Sequence, residues 1–341
     1  MSTSTMTRGF VIGVTAAWLG VYGAKTLAAK AQQAPTSKPD SSGQTTRVNN
    51  DDLETLHVQK DVYLIAGAGA NITVQVGPEG LVVVDTGDGL KNEQVLAAIR
   101  RLSPVPIRFI INTSDDSDHT GGNQAVAQAG SAFRTRSSFY DGAEVVAHEN
   151  VLKRMSTQTP GRPMLPEAAW PTSTYFVPEK DLHHNGEAIL VLYQPAAHTN
   201  GDSAVYFRSS EVLVAGDVFD LSRYPVVDKG RGGTATGVIN ALNRLLDIAV
   251  AGNYEEGGTM IIPGHGHICD EADLVEYRDM ATIIRDRVQD MVKNGRTLEQ
   301  VKEAKPSLEY DAIYGSPDAL VEALYRDLAA PRPAAVKRNT K

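Results

Sequence analysis

The sequence predicts an α/β fold in which two β-sheets pack face to face and helices cover their outer sides, a four-layer αββα sandwich. Three observations predict it. Short runs rich in Val, Ile and Leu fall into two groups, one between residues 58 and 147 and one between residues 189 and 262. Each group includes or precedes stretches whose apolar residues recur at helical spacing. A sheet face and a helix stripe that are both apolar must bury each other, and stacked layers are the stable solution.

The elements follow in order. Val58–Ile65, Asn71–Val76 and Leu81–Asp85 are β-rich, and Gly77-Pro78-Glu79-Gly80 is a strong turn signal between the last two, so the three read as an antiparallel meander. Lys91–Leu102 carries Val95, Leu96, Ile99 and Leu102 on one helical face and leads into the strand Ile107–Ile111. A helix is expected over Gly122–Gly130, a strand over Glu144–Ala147 and a helix over Glu149–Ser156. The Pro-rich span Thr159–Pro178 reads as an irregular loop over one face. Ile189–Tyr193, Ser203–Phe207 and Val212–Ala215 read as strands, Thr236–Ala251 as an amphipathic helix and Met260–Ile262 as a short strand. Helices over Glu271–Asn294, Leu298–Ala304 and Pro317–Leu328 close the chain.

Chemistry is concentrated directly after the strand Ile107–Ile111. Asn112-Thr113-Ser114-Asp115-Asp116-Ser117-Asp118-His119-Thr120-Gly121-Gly122-Asn123 crowds Asp115, Asp116, Asp118 and His119 onto one loop. Oxygen and nitrogen donors gathered at a strand end, where a rigid scaffold holds loop residues, suggest a metal. This segment resembles the signature loop of the metallo-beta-lactamase superfamily, His-x-His-x-Asp-His followed by a Thr-Gly-Gly-Asn-like turn; here it reads Ser114-x-Asp116-x-Asp118-His119. Gly69–Gly87, Pro195–Ser203, Ala215–Phe219 and Pro263–Gly266 fall in the same family's order and spacing, so the resemblance runs from residue 55 to residue 330. It implies the αββα metallo-beta-lactamase sandwich.

The resemblance also implies metal ligands. Asp118, His119 and His265 match one complete metal site, with Asp217 as a carboxylate bridging two ions. The other site, three histidines in the family pattern, maps onto Ser114, Asp116 and His198. Zinc takes imidazole nitrogen and carboxylate oxygen at about 2.0–2.2 Å, and a catalytic zinc needs three protein ligands and an open position, which Asp118, His119 and His265 satisfy. Asp116, Asp217 and His198 form a harder, oxygen-rich set that suits manganese, iron or a weakly held zinc. Ser114 is a poor ligand unless deprotonated. Two readings of Ser114 and Asp116 stay open: they rebuild the altered site with oxygen donors, or they mark its loss. Asp116 lies among Asp115, Asp118 and Asp217, whose like charges disfavour its ionisation, and a cation there relieves this.

Asp85, in its Asp-Thr-Gly turn, and His267 are expected to touch ligands rather than the metal. Tyr224 and Arg223 meet substrate or belong to a packed loop. His57, His148, His183 and His184 read as surface or helix-start residues, and the single cysteine, Cys269, as a packed thiol.

The remaining bounds come from composition. The 341 residues, 42% hydrophobic, allow one large domain over residues 51–330 with a sizeable core. A net charge of -8 gives no basic footprint, which excludes nucleic acid as a partner. Residues 1–31 read as an export signal: Arg8 supplies the positive flank, Phe10–Ala24 is largely apolar and Ala29-Lys30-Ala31 offers a small-x-small cleavage site. The apolar stretch is shorter than the roughly 20 residues that span a bilayer, so a mature protein without a membrane span, periplasmic or secreted, is expected. Residues 32–50 read as a flexible linker and 331–341 as a disordered tail.

The expected function is a secreted metal-dependent hydrolase. The metal acidifies water and polarises the scissile bond of a small ester, lactone, thioester or lactam, and Asp118 orients the water. The rival readings are a non-catalytic member that binds a ligand or partner in the old cleft, and a carboxylate-rich di-metal redox protein.

Overall fold

The computed structural model describes residues 53–133, 142–158, 164–252 and 257–330. The expected export signal, linker and tail lie outside these residues. The elements are β1 (Glu54–Gln59), β2 (Val62–Ala66), β3 (Ile72–Gln75), β4 (Leu81–Val84), α1 (Asn92–Leu102), β5 (Ile107–Ile111), α2 (Ser117–Thr120), α3 (Asn123–Gln128), β6 (Glu144–His148) and α4 (Glu149–Met155). They continue with β7 (Ser173–Tyr175), β8 (Glu179–His184), β9 (Glu187–Tyr193), β10 (Ser203–Phe207), β11 (Val212–Asp220), α5 (Ala235–Leu246), β12 (Met260–His265), α6 (Glu271–Lys293), α7 (Leu298–Glu303), α8 (Asp311–Tyr314) and α9 (Asp318–Ala329).

Strands β1 to β7 form one sheet in chain order, antiparallel through β4 and parallel from β4 to β7. The second sheet runs β12-β11-β10-β9-β8, antiparallel except for the β11–β12 pair. Strand periodicity explains the layering. In β4, Val82 and Val84 point between the sheets while Leu81 and Val83 point to the helices; in β11, Val212 and Val214 point between the sheets while Leu213 and Ala215 point outward. These strands are therefore apolar on both faces, as strands buried in a layered fold must be.

Three apolar layers result. Val62, Leu64, Ile111 and Val146 meet Ile189, Val205, Phe207 and Ile262 between the sheets. Val95 and Ile99 of α1 with Val126 of α3 cover the first sheet, and α5, α6, α7 and α9 cover the second, with Phe219 and Tyr277 in edge-to-face contact at 5.0 Å. This is the expected αββα arrangement.

Several boundaries differ from expectation. Val58–Ile65 is a hairpin, because Lys60 adopts a positive φ and turns the chain between β1 and β2. The helix expected over Gly122–Gly130 is α3 alone, preceded by the separate short turn α2. The span Thr159–Pro178 carries a 3-10 turn at Glu167–Ala169 and the edge strand β7 within its described part. Strand β8 and helix α8 carry too weak an apolar pattern to show in the sequence. His184 is buried, not superficial: it sits edge-on to Phe109 and its Nε2 meets the Gly80 carbonyl. His148 does start a helix, its Nδ1 accepting the Asn150 N–H to cap α4. Cys269 is a packed thiol whose burial holds it protonated. Among the described residues, no helix is long and apolar enough to cross a membrane.

Candidate metal centre

The centre lies where β4, β5, β11 and β12 end together. Two backbone links hold the sheets in register there: Ser203 N–H donates to the Thr113 carbonyl at 2.7 Å and Asn71 N–H to the Gly264 carbonyl at 2.9 Å. The Asn71 side-chain amide also donates to the Pro263 and Gly266 carbonyls, fixing the turn that presents His265. The Thr-Gly-Gly-Asn stretch is fixed similarly. Thr86 Oγ1 donates to the His119 carbonyl and to Asn123 Oδ1, and Asn123 pairs with Asn112 through both amide groups. Gly121 and Gly122 lie so close to the Asp88 and Thr86 carbonyls that a Cβ would collide with backbone.

Asp118, His119 and His265 come together. His265 Nε2 is 3.1 Å from Asp118 Oδ2 and 3.6 Å from Asp217 Oδ1, and His119 Nε2 is 3.2 Å from the same Asp217 Oδ1. Asp217 lies between two trios, because its Oδ2 is 3.9 Å from His198 Nδ1, which in turn is 3.6 Å from Asp116 Oδ2. Thus Asp118–His119–His265 and Asp116–His198–Asp217 each place three donor atoms within 4.8 Å of one another.

Buried polar atoms are almost always hydrogen-bonded. Among the described residues, His119 Nε2, His265 Nε2, His198 Nδ1 and Asp217 Oδ1 have no hydrogen-bond partner although all are buried. Their close approaches lack hydrogen-bond geometry. Donor atoms that crowd one space without bonding each other fit a divalent cation, and the Asp118–His119–His265 set has the donor types of a zinc site.

Asp85 serves that set from behind. Its Oδ2 meets His119 Nδ1 at 2.7 Å and accepts from Thr113 Oγ1, while Oδ1 accepts the Thr113 N–H. With Nδ1 bonded to a carboxylate, His119 turns the Nε2 lone pair toward the metal position. Asp85 has φ 59°, a left-handed conformation that asparagine also adopts. Asp85→Asn should therefore fold normally yet lose about 10–100-fold in zinc affinity, as removal of such supporting carboxylates does; a competition titration against a chromophoric chelator reads the change.

The charged groups of the cluster shift one another. Burial opposes charge on His119, but Asp217 and Asp85 outweigh it and hold its pKa well above the ordinary histidine value. Contact with Asp118, against the pull of burial, raises His265. Asp118 is lowered by His265, and Asp217, despite its burial, is held far below the carboxylate range by His119, His198 and His265. Each carboxylate is therefore shifted toward its charged form by the imidazoles, and each imidazole toward its protonated form by the carboxylates. A metal must displace protons from such ligands, so zinc binding should release protons and tighten as pH rises through the raised histidine pKa values. Calorimetry in buffers of different ionisation enthalpy measures the release directly.

The other expected residues fall as follows. Ser114 is buried and its Oγ accepts the Asp116 N–H at 3.2 Å. His267 is exposed beyond β12. Tyr224 is packed, its hydroxyl donating to Asp311, so the packed-loop reading holds for it, whereas Arg223 is half-exposed and paired with Asp220.

Two residues with no sequence signal complete the picture. Arg231, on the 3-10 turn Lys229–Arg231, reaches Asp116 Oδ1 at 2.7 Å and Asp115 Oδ2 at 3.4 Å through Nη1, while its Nε donates to Asp228. Arg154 of α4 holds the other side of Asp115 at 2.6 Å and reaches Asn200 and Thr199 beside His198. The cation that the Asp116 environment calls for is thus supplied in part by the chain itself.

Comparison with known proteins agrees with this fold. The family model described as the metallo-beta-lactamase superfamily matches residues 66–265. A metallo-beta-lactamase from Pontibacter korlensis superposes with a TM-score of 0.52 at 20% identity, covering 67% of this chain and 99% of the other. The stereoselective inverting sec-alkylsulfatase Pisa1 from Pseudomonas sp. gives 0.58 at 18% identity, covering 80% of this chain and 50% of its own, so this chain spans about half of that protein. No curated protein sequence matches it. With its two sheets, its donor trios at their shared end and its matching segment, this chain belongs to the metallo-beta-lactamase superfamily.

Proposed function

We propose that this protein is a metal-dependent hydrolase whose ion is held by Asp118, His119 and His265 and whose substrate is a small ester, lactone, thioester or lactam. The observation that carries the reading is the convergence of buried imidazole nitrogens on one space with no hydrogen-bond partner among the described residues. When bound, a divalent ion such as zinc supplies Lewis acidity, acidifying water and polarising the scissile bond.

The chain's own residues do the rest. Asp118 is the more accessible carboxylate, with 37% of its side chain exposed against 9% for Asp217, so it faces incoming water and substrate. Its lowered pKa keeps it ionised, as an acceptor that orients water must be. Asp217, deeper, sets its Oδ1 3.2 Å from His119 Nε2 and 3.6 Å from His265 Nε2, beside the proposed ion. Export through residues 1–31, and hence a periplasmic or secreted location, belongs to the same proposal and rests on the sequence pattern alone.

The scaffold hosts many reactions, so the chemistry of the substrate must be found by assay. A panel of nitrophenyl esters, lactones, thioesters, cephalosporins and alkyl sulfates should be tested with protein stripped by chelator and reloaded with zinc. The expected result is turnover of at least one class that vanishes on stripping and returns on reloading. Turnover indifferent to stripping overturns the mechanism. Zinc-loaded protein inert on every class overturns hydrolysis in favour of a binding role.

A further inference from the structure

We propose that the Arg231 guanidinium stands in for a metal ion beside Asp116, so that the centre takes one divalent ion per chain and not two. The inference rests on the reading that Asp118, His119 and His265 hold an ion, and it concerns the neighbouring trio Asp116–His198–Asp217.

Three observations carry it. The first is position: Arg231 Nη1 is 2.7 Å from Asp116 Oδ1, the carboxylate that would have to ligate a second ion. The second is construction. Arg231 is anchored at both ends of its turn, since Asp228 accepts its backbone N–H at 2.9 Å and its Nε at 2.7 Å, and the Arg231 carbonyl accepts the Asn200 N–H at 3.0 Å. Asp115, wholly buried, is shared between Arg154 and Arg231. Moving Arg231 out would break its pairs with Asp115, Asp116 and Asp228 together.

The third is the chemistry of the cation. A lysine or histidine beside an incoming metal can surrender its proton and become neutral, but a guanidinium cannot. A dication at Asp116 would face a permanent like charge in a mostly buried pocket, where repulsion is weakly screened. The substitution of two family histidines by Ser114 and Asp116 is explained by the same arrangement. Asp116 pairs with a guanidinium, which an imidazolium would repel, and Ser114 ties down the Asp116 backbone instead of reaching for metal.

Elemental analysis after dialysis against excess zinc tests the idea on the full chain. Wild type should hold one zinc, and Arg231→Ala, which takes the guanidinium away from Asp116, should hold two. One zinc in both proteins would show that the oxygen-rich trio refuses metal by itself, and two in wild type that Arg231 yields; either overturns the inference while leaving the metal-dependent reading intact. No zinc in wild type overturns both. Should Arg231→Ala fail to fold, zinc anomalous scattering from wild-type crystals soaked in millimolar zinc decides. A single peak between Asp118, His119 and His265 with Arg231 in place is expected, and a second peak between Asp116, His198 and Asp217 overturns the proposal.

Discussion

With the ion held as proposed, His265→Ala is expected to abolish metal binding and to reduce the proposed hydrolysis by more than about 100-fold, because removing even a residue that only orients a ligand costs about 10–100-fold. Of the three proposed ligands, His265 is the cleanest to remove. It ends β12 with 22% of its side chain exposed, so its loss opens a small solvent-facing gap and not a core cavity. Its turn is held by Asn71 through backbone groups that the substitution leaves in place. His119→Ala would confuse matters, since it strands Asp85 and Asp217 as buried carboxylates without their common partner, a strongly destabilising change. Circular dichroism of His265→Ala should match wild type while zinc content and turnover collapse together. Full activity in the variant would place the reaction elsewhere.

Gly237→Ala carries the largest expected effect on stability, with a sign opposite to that of helix propensity. Gly237 lies in the first turn of α5, where alanine would ordinarily be favoured over glycine by roughly 1 kcal/mol. Here the helix start rests directly on the backbone that carries His198. Thr234 N–H donates to the Ala196 and Ala197 carbonyls, and a methyl at Gly237 would penetrate the Ala196 carbonyl oxygen. Gly233 crowds the His198 carbonyl in the same way. Backbone cannot swing aside as a side chain can, so the variant should lose about 3 kcal/mol, the upper end of ordinary overpacking. Urea unfolding measures it, and a stabilised variant would show that the helix and the His198 loop are not in fact in contact.

Much of the site was legible because its residues are contiguous or flanked by glycine-rich turns. Asp116, Asp118 and His119 share one loop, His265 sits between glycines that let the chain turn sharply, and Asp217 follows an apolar strand. Asp85 was expected from its Asp-Thr-Gly turn to act as a supporting carboxylate, and in the structure its Oδ2 lies 2.7 Å from His119 Nδ1. Arg231 and Arg154 were not legible. An arginine in a Gly-rich turn or on a short helix looks like any solvated cation, and nothing local says that both converge on Asp115. Strand β8 was missed for a related reason: Glu179–His184 alternates weakly at a sheet edge, where hydrogen bonding to β9 and not apolar burial defines the strand.

Period-two apolar runs, helical spacing and the order of the polar loops determined from sequence alone that two sheets are sandwiched by helices with donors gathered at their ends, because these are properties of short stretches of chain. Which charged groups face one another in the centre was decided only by tertiary structure. Whether Asp116 faces a metal or an arginine depends on where a turn more than 110 residues further along the chain comes to rest, and electrostatic energy depends on distance in space, to which separation along the sequence is no guide.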